Sequence, residues 1–283
     1  AAGDIAVRLR QAGVARGHVV GVQMPPGMPD LVSAMLGVMM AGAAVVPVDP
    51  EAPVAYRAAR LAELDVAALI VGGGDGEPEL AAVCPLVLAV GQRTASPSGA
   101  LAVAPEGPAA GDPAYVLFTS GSTGVPKRVV VDHDALLRRL SWLAEHWQVT
   151  ADDRTGAMVR PGFDPSLIAL LMPLIRGGAV ALPTAWRMTA GELGDFLAAH
   201  KVSIVPLVPA TLALVLDATR GRGDIHLRAA CCGGEALPRL LADRFICQTG
   251  ARLTNLYGPT EATITALRHE VSDDADPVPI GSP

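Results

Sequence analysis

No two of the four cysteines, Cys84, Cys231, Cys232 and Cys247, stand in a C-x-x-C spacing, and none clusters with the six scattered histidines. That argues against both a zinc framework and a disulfide-stapled domain; free thiols in a reducing cytoplasm fit better. Lysine and arginine form no block and the formal net charge is −6, so no nucleic-acid surface is expected. Any affinity for phosphate has to be local. No apolar run is long and unbroken enough to span a membrane, because the longest, residues 31–48, is interrupted by glycine and proline. The N-terminus also lacks the charged, apolar and small-residue order of a signal peptide. Two enzyme signatures are missing as well. The pattern G-x-x-x-x-G-K-[ST] cannot be laid over residues 121–127, and the G-x-S-x-G of serine hydrolases does not occur.

What remains is a chain of 283 residues, 51% hydrophobic and 18% charged, with ample material for a large core. Apolar runs of strand length at 19–24, 45–49, 67–71, 86–90, 115–119, 129–132, 179–183, 203–207 and 228–232 punctuate it. Between them, helical periodicity covers 30–40, 54–64, 134–146, 165–176, 190–200, 209–218 and 238–245, and residues 1–10 read as an amphipathic helix. This alternation predicts an α/β fold of layered, largely parallel sheets flanked by helices. Residues 72–78 and 91–113 read as loops, the second a candidate division between subdomains. No repeat of solenoid period is present.

Residues 115–127 read Tyr-Val-Leu-Phe-Thr-Ser-Gly-Ser-Thr-Gly-Val-Pro-Lys, a β-prone run that empties into a hydroxyl- and glycine-rich loop. Thr119, Ser120, Ser122 and Thr123 offer hydroxyl donors, Gly121 and Gly124 let backbone N–H groups curl around an anion, and Lys127 adds a positive charge. A second dense stretch is Asn255-Leu256-Tyr257-Gly258-Pro259-Thr260-Glu261. Two more agree with these in order: residues 41–50, Ala-Gly-Ala-Ala-Val-Val-Pro-Val-Asp-Pro, and Phe163-Asp164-Pro165-Ser166. Together the four resemble the adenylate-forming superfamily, and within it the amino-acid-activating adenylation domain of nonribosomal peptide synthetases.

The resemblance implies the large-domain fold of those enzymes over residues 1–283, as a partial N-terminal core without the small C-terminal domain. It implies ATP and Mg²⁺ as cofactors and formation of an aminoacyl adenylate with release of pyrophosphate. The aminoacyl group then passes to the phosphopantetheine thiol of a peptidyl carrier protein, with an MbtH-like protein as a further partner in many relatives. On this reading Thr119 to Gly124 with Lys127 enclose the phosphates, Asn255 reaches the adenine edge and Tyr257 stacks on adenine. Thr260 touches the α-phosphate, Glu261 binds Mg²⁺, Gly258 belongs to the same motif, and Gly233, Gly234 and Glu235 flank the adenine. Arg128 departs from the pattern, since the family usually has glycine after the lysine. A bulky cation there can crowd the loop, pair with phosphate or face solvent.

Asp164 would pair with the substrate ammonium, in a pocket lined by Pro165, Ile168, Pro206, Ala230, Cys232, Leu256, Ile264 and Thr265. Apart from Asp164 none is charged, which points to a compact apolar or nonstandard amino acid. Asp164 followed by proline is equally what a helix starting at 165 wants as its cap. Two rivals stay open: an acyl- or aryl-CoA ligase of the same superfamily, and a truncated module that binds nucleotide or amino acid without catalysis. No membrane or nucleic-acid partner is expected.

Overall fold

A computed structural model describes residues 1–74, 76–91, 107–119, 126–272 and 275–283. The chain divides into two compact units, Ala1–Leu137 and Arg138–Pro283, each built on one six-stranded sheet.

In the first unit, α1 (Ala2–Gln11) packs on α2 (Asp30–Ala41) through its buried residues Ile5, Ala6 and Leu9. The strands β1 (Val19–Gln23), β2 (Ala44–Val48) and β3 (Ala68–Gly72) are short apolar runs with no polar face. That is the pattern of parallel strands covered on both sides. The helices α3 (Val54–Glu63) and α4 (Pro78–Ala81) complete the crossovers, and β4 (Val87–Val90) closes one edge. Beyond β2 lie β5 (Pro113–Thr119), parallel to it, and β6 (Lys127–Asp132), which folds back antiparallel on β5. The sheet order is β4-β3-β1-β2-β5-β6.

Because β5 pairs with β2, the residues after 107 belong to the first sheet. The division therefore falls at Leu137/Arg138, inside α5 (His133–His146), and not within 91–113. Most of that expected linker, residues 92–106, lies outside the described residues.

The second unit runs β7 (Arg154–Gly156), α6 (Pro165–Ile175), β8 (Ala179–Ala181), α7 (Ala190–Ala199), β9 (Ile204–Leu207), α8 (Pro209–Thr219), β10 (Ala229–Gly233), α9 (Arg239–Thr249), β11 (Arg252–Tyr257) and β12 (Leu267–Glu270). Its sheet order is β12-β11-β10-β9-β7-β8, parallel except for the β11/β12 pair. One face carries a core of Val205, Leu207, Ala230, Cys232 and Leu253 under Leu197 of α7, Leu212 and Leu216 of α8, and Phe245 of α9. The other face carries α6, buried without interruption from Ser166 to Pro173. α7 starts with a capping box in which Thr189 and Glu192 satisfy each other's backbone N–H groups.

At the amino ends of three neighbouring strands sits a polar hub. Asp153, just before β7, accepts two bonds from the Arg228 guanidinium at 2.7 Å each, one from the Ser203 hydroxyl at 2.8 Å and one from the Thr150 N–H at 2.8 Å. Arg228 also donates to the Trp147 carbonyl at 2.8 Å. Burial alone would raise the Asp153 pKa, but these donors outweigh it and hold the carboxyl down at about 2.

The strands β7, β11 and β12 and the helix α4 were not among the expected elements. β7 reads Arg-Thr-Gly and β12 Leu-Arg-His-Glu, too short or too polar for a periodicity signal. All four cysteines are free, and among the described residues no helix is long and apolar enough to cross a membrane.

Candidate functional site

After β7 the chain crosses through α6 to β8, whereas after the adjacent β9 it leaves through α8 toward β10. Connections that part in this way open a crevice at the carboxyl ends of the strands, where open α/β sheets place ligands. A cavity of about 80 Å³ lies there. Asp164, Pro165 and Ile168 at the start of α6 form one wall, Pro206 and Leu207 at the end of β9 another. Cys231, Gly233 and Gly234 at the end of β10, Leu256 and Gly258 around the end of β11, and Ile264 complete it.

Of the nine residues expected to line a substrate pocket, six meet around this cavity: Asp164, Pro165, Ile168, Pro206, Leu256 and Ile264. Ala230 and Cys232 do not. Alternate residues of a strand face opposite ways, and these two belong to the core under α7, α8 and α9. The wall residue is Cys231, beside Pro206 in the β9/β10 register, with Gly233 beside Leu256 in the β10/β11 register. Cys231 was missed by the sequence reading, and so was Leu207, which borders the cavity at the strand end while belonging to the core under α7, α8 and α9. Thr265 is also not in the wall; its hydroxyl lies 3.2 Å from the Tyr257 carbonyl and 3.0 Å from that of Leu267, bracing the turn after β11.

Asp164 occupies the N-cap position of α6, yet its side chain makes no capping bond. The carboxylate is turned inward, and among the described residues its Oδ2 is buried without a hydrogen-bond partner. Burial, reinforced by the neighbouring Glu261 charge and only partly offset by the Thr260 hydroxyl, raises its pKa to about 6. A carboxylate left in that state is a receptor for a cationic donor.

The turn that follows β11 is tightly constrained. A Cβ on Gly258 would stand 2.4 Å from the Cα of Thr265, so only glycine fits. Thr260–Ala262 form one 3₁₀ turn, after which Thr263 and Ile264 both adopt positive φ, 60° and 72°. For β-branched residues this is strained backbone, costing on the order of 1 kcal/mol or more at each position. It aims Ile264 into the cavity. Thr263→Gly is expected to raise stability by about 1 kcal/mol in denaturant unfolding; a loss would mean that the Thr263 side chain itself holds the turn.

At the same strand ends, the Tyr257 ring is half exposed, and Glu261 and Glu235 are exposed. A face of Tyr257 is thus available for stacking on a flat ring. The amide nitrogen of Asn255 is used within the fold. The residue is buried, and its amide Nδ2 donates to the carbonyls of Val278 at 3.3 Å and Pro279 at 3.0 Å, tying that segment to β11. Gly233 is needed for a close approach, since a Cβ there would lie 2.7 Å from the Leu256 carbonyl.

In the first unit, Thr119 at the end of β5 lies opposite Lys127 at the start of β6. Ser120, Gly121, Ser122, Thr123 and Gly124 lie outside the described residues. Lys127 is exposed. Arg128 lies opposite Phe118 on the strand pair and extends toward Glu63, 4.0 Å away. Arg60, stacked 5.1 Å over the Phe118 ring, bonds the same Glu63 at 2.6 Å. Arg128 is thus drawn to α3.

Comparison with known proteins places this geometry. The chain is 32% identical to tyrocidine synthase 3 of Brevibacillus parabrevis over 286 residues, covering 100% of this chain and 4% of that protein. It is 32% identical to syringomycin synthase SyrB1 of Pseudomonas syringae pv. syringae, covering 96% of this chain and 45% of that one. The chain thus spans less than half the length of either curated relative. Among solved structures, the nonribosomal peptide synthetase FmoA3 in its α-methyl-L-serine-AMP bound form superposes with a TM-score of 0.86 at 27% identity, covering 100% of this chain and 32% of that one. The family model described as AMP-binding enzyme matches residues 1–283, and the chain belongs to that family.

Proposed function

We propose that this chain activates an α-amino acid by ATP-dependent adenylation, for transfer to the phosphopantetheine thiol of a carrier protein. The observation that carries the proposal is Asp164. Its buried, unpartnered carboxylate oxygen stands at a cavity with no other charged wall residue, which suits the ammonium of an amino acid and penalises a carboxylic acid without one.

The other roles follow the same chemistry. Tyr257 stacks on adenine, with Gly233, Gly234 and Glu235 at the neighbouring strand end. Thr260 donates to the α-phosphate, and Lys127 with the hydroxyls from Thr119 to Thr123 and the backbone of Gly121 and Gly124 holds phosphate oxygens. No group of three or more His, Cys, Asp or Glu side chains among the described residues could hold a metal by itself. A Mg²⁺ ion shared with ATP does not need one, because it binds through one or two carboxylates and the phosphates, and exposed Glu261 supplies a carboxylate. Bound there, Mg²⁺ would neutralise phosphate charge as the substrate carboxylate attacks the α-phosphate and pyrophosphate leaves. On this reading the partners are the amino acid, the carrier protein and an MbtH-like protein, in a reducing cytoplasm where the four thiols stay free.

The test is amino-acid-dependent ATP–pyrophosphate exchange in the full chain. Lys127→Ala is expected to raise the KM for ATP, and Glu261→Gln to raise the Mg²⁺ requirement, each with at least about a tenfold fall in kcat/KM and an unchanged unfolding midpoint. Wild-type kinetics in both variants would overturn these roles.

A further inference from the structure

We infer that the cavity takes an α-amino acid with a small aliphatic side chain, and that Cys231 is the residue that sets the size limit. This rests on the amino-acid reading above and adds the side chain to it.

Volume gives the first bound. An apolar cavity of roughly 150 Å³ accommodates benzene. The cavity here is about 80 Å³. At about half the benzene-holding volume, it favours a methyl, ethyl or isopropyl group over a phenyl or indole. Wall chemistry gives the second bound. No wall side chain other than Asp164 carries a charge, and none carries a hydroxyl or an amide. A charged or strongly polar side chain would be desolvated without a partner.

Three walls cannot be moved cheaply. Pro206 is a rigid ring within β9, Ile264 is fixed by the strained turn, and Gly233 can accept no side chain against the Leu256 carbonyl. The wall directly behind Gly233 on the same strand face is Cys231, only 2% exposed and adjacent to Pro206. Burial holds its thiol far above the ordinary thiol range, so it presents neutral sulfur as a plain steric stop. Cys232, one residue on, points into the opposite core and leaves the cavity unaffected.

The experiment is exchange kinetics in the full chain with alanine, 2-aminobutyrate, valine, norvaline, leucine, serine and phenylalanine. It compares the wild type with Cys231→Ala, Cys231→Gly and Cys232→Ala. The wild type is expected to prefer alanine, 2-aminobutyrate or valine over leucine, serine and phenylalanine by at least about tenfold in kcat/KM. In the Cys231 variants the preference for norvaline and leucine relative to alanine rises by at least about tenfold. Cys232→Ala keeps the wild-type order. A wild type that favours phenylalanine, leucine or serine overturns the inference whether or not a variant folds, and so does an unmoved profile in the Cys231 variants. Exchange with carboxylic acids lacking the amine, and with no amino acid, would overturn the amino-acid reading itself and this inference with it.

Discussion

Asp164→Asn is expected to weaken amino-acid binding about a hundredfold or more while making the empty protein more stable above about pH 6. The loss follows from removing one partner of a buried ion pair, which typically costs about 3–5 kcal/mol. The gain follows from linkage. The Asp164 pKa is raised from 3.8 to about 6 in the fold, so its contribution to stability is fully present below pH 3.8 and is lost as pH rises through 6. Asparagine has nothing to ionise. The variant should therefore match the wild type at low pH and exceed it by about 3 kcal/mol at pH 8. A helix-cap role predicts neither effect, since Asn caps nearly as well as Asp. Calorimetric binding of the amino acid, beside urea unfolding at pH 5 and pH 8, separates the two. Unchanged affinity together with unchanged stability would return Asp164 to the role of a cap.

Asp153→Ala is expected to have the largest effect on stability, a loss of about 3 kcal/mol at pH 7. Four hydrogen bonds converge on this carboxylate, and they join the amino ends of β7, β9 and β10. The loss falls short of the upper range for a broken buried pair because Arg228 is partly exposed and can recover water. The pH dependence runs opposite to that of Asp164. Here the folded pKa is depressed, so the stabilisation is present above pH 3.8 and disappears as pH falls through about 2. The stability gap between Asp153→Ala and wild type should therefore close between pH 4 and pH 2. A gap that persists at pH 2 would mean that packing, and not charge, holds this corner.

The fold was legible because most of its strands are parallel and read as apolar runs, and all nine runs from residue 19 to 232 became strands, including the antiparallel edge strand β6. The same property hid the site's details. Ala229, Ala230, Cys231 and Cys232 are all buried, so nothing in their order says which two face the cavity and which the core. That is fixed by the register of β10 between β9 and β11, a long-range fact, and it moved the wall by one residue to Cys231. Asp164 was legible as a residue and ambiguous as a role, because Asp-Pro at a helix start satisfies a cap and a pocket alike; the missing capping bond weighs against the cap. Asn255 stood inside a dense motif, but its partners are backbone carbonyls more than twenty residues away, which no local pattern reveals. The boundary at Leu137/Arg138 was hidden for a related reason. Composition marked a loop, while the pairing of β5 with β2 decided which unit owned the chain beyond it.

The central claim is that this family member activates an amino acid through the ammonium that Asp164 receives. The direct measurement is ATP–pyrophosphate exchange in the full chain with small aliphatic α-amino acids, each beside the same carboxylic acid without its amine. The account predicts exchange with at least one amino acid and none above background with its amine-free counterpart. Exchange driven equally well by the amine-free acids would contradict it.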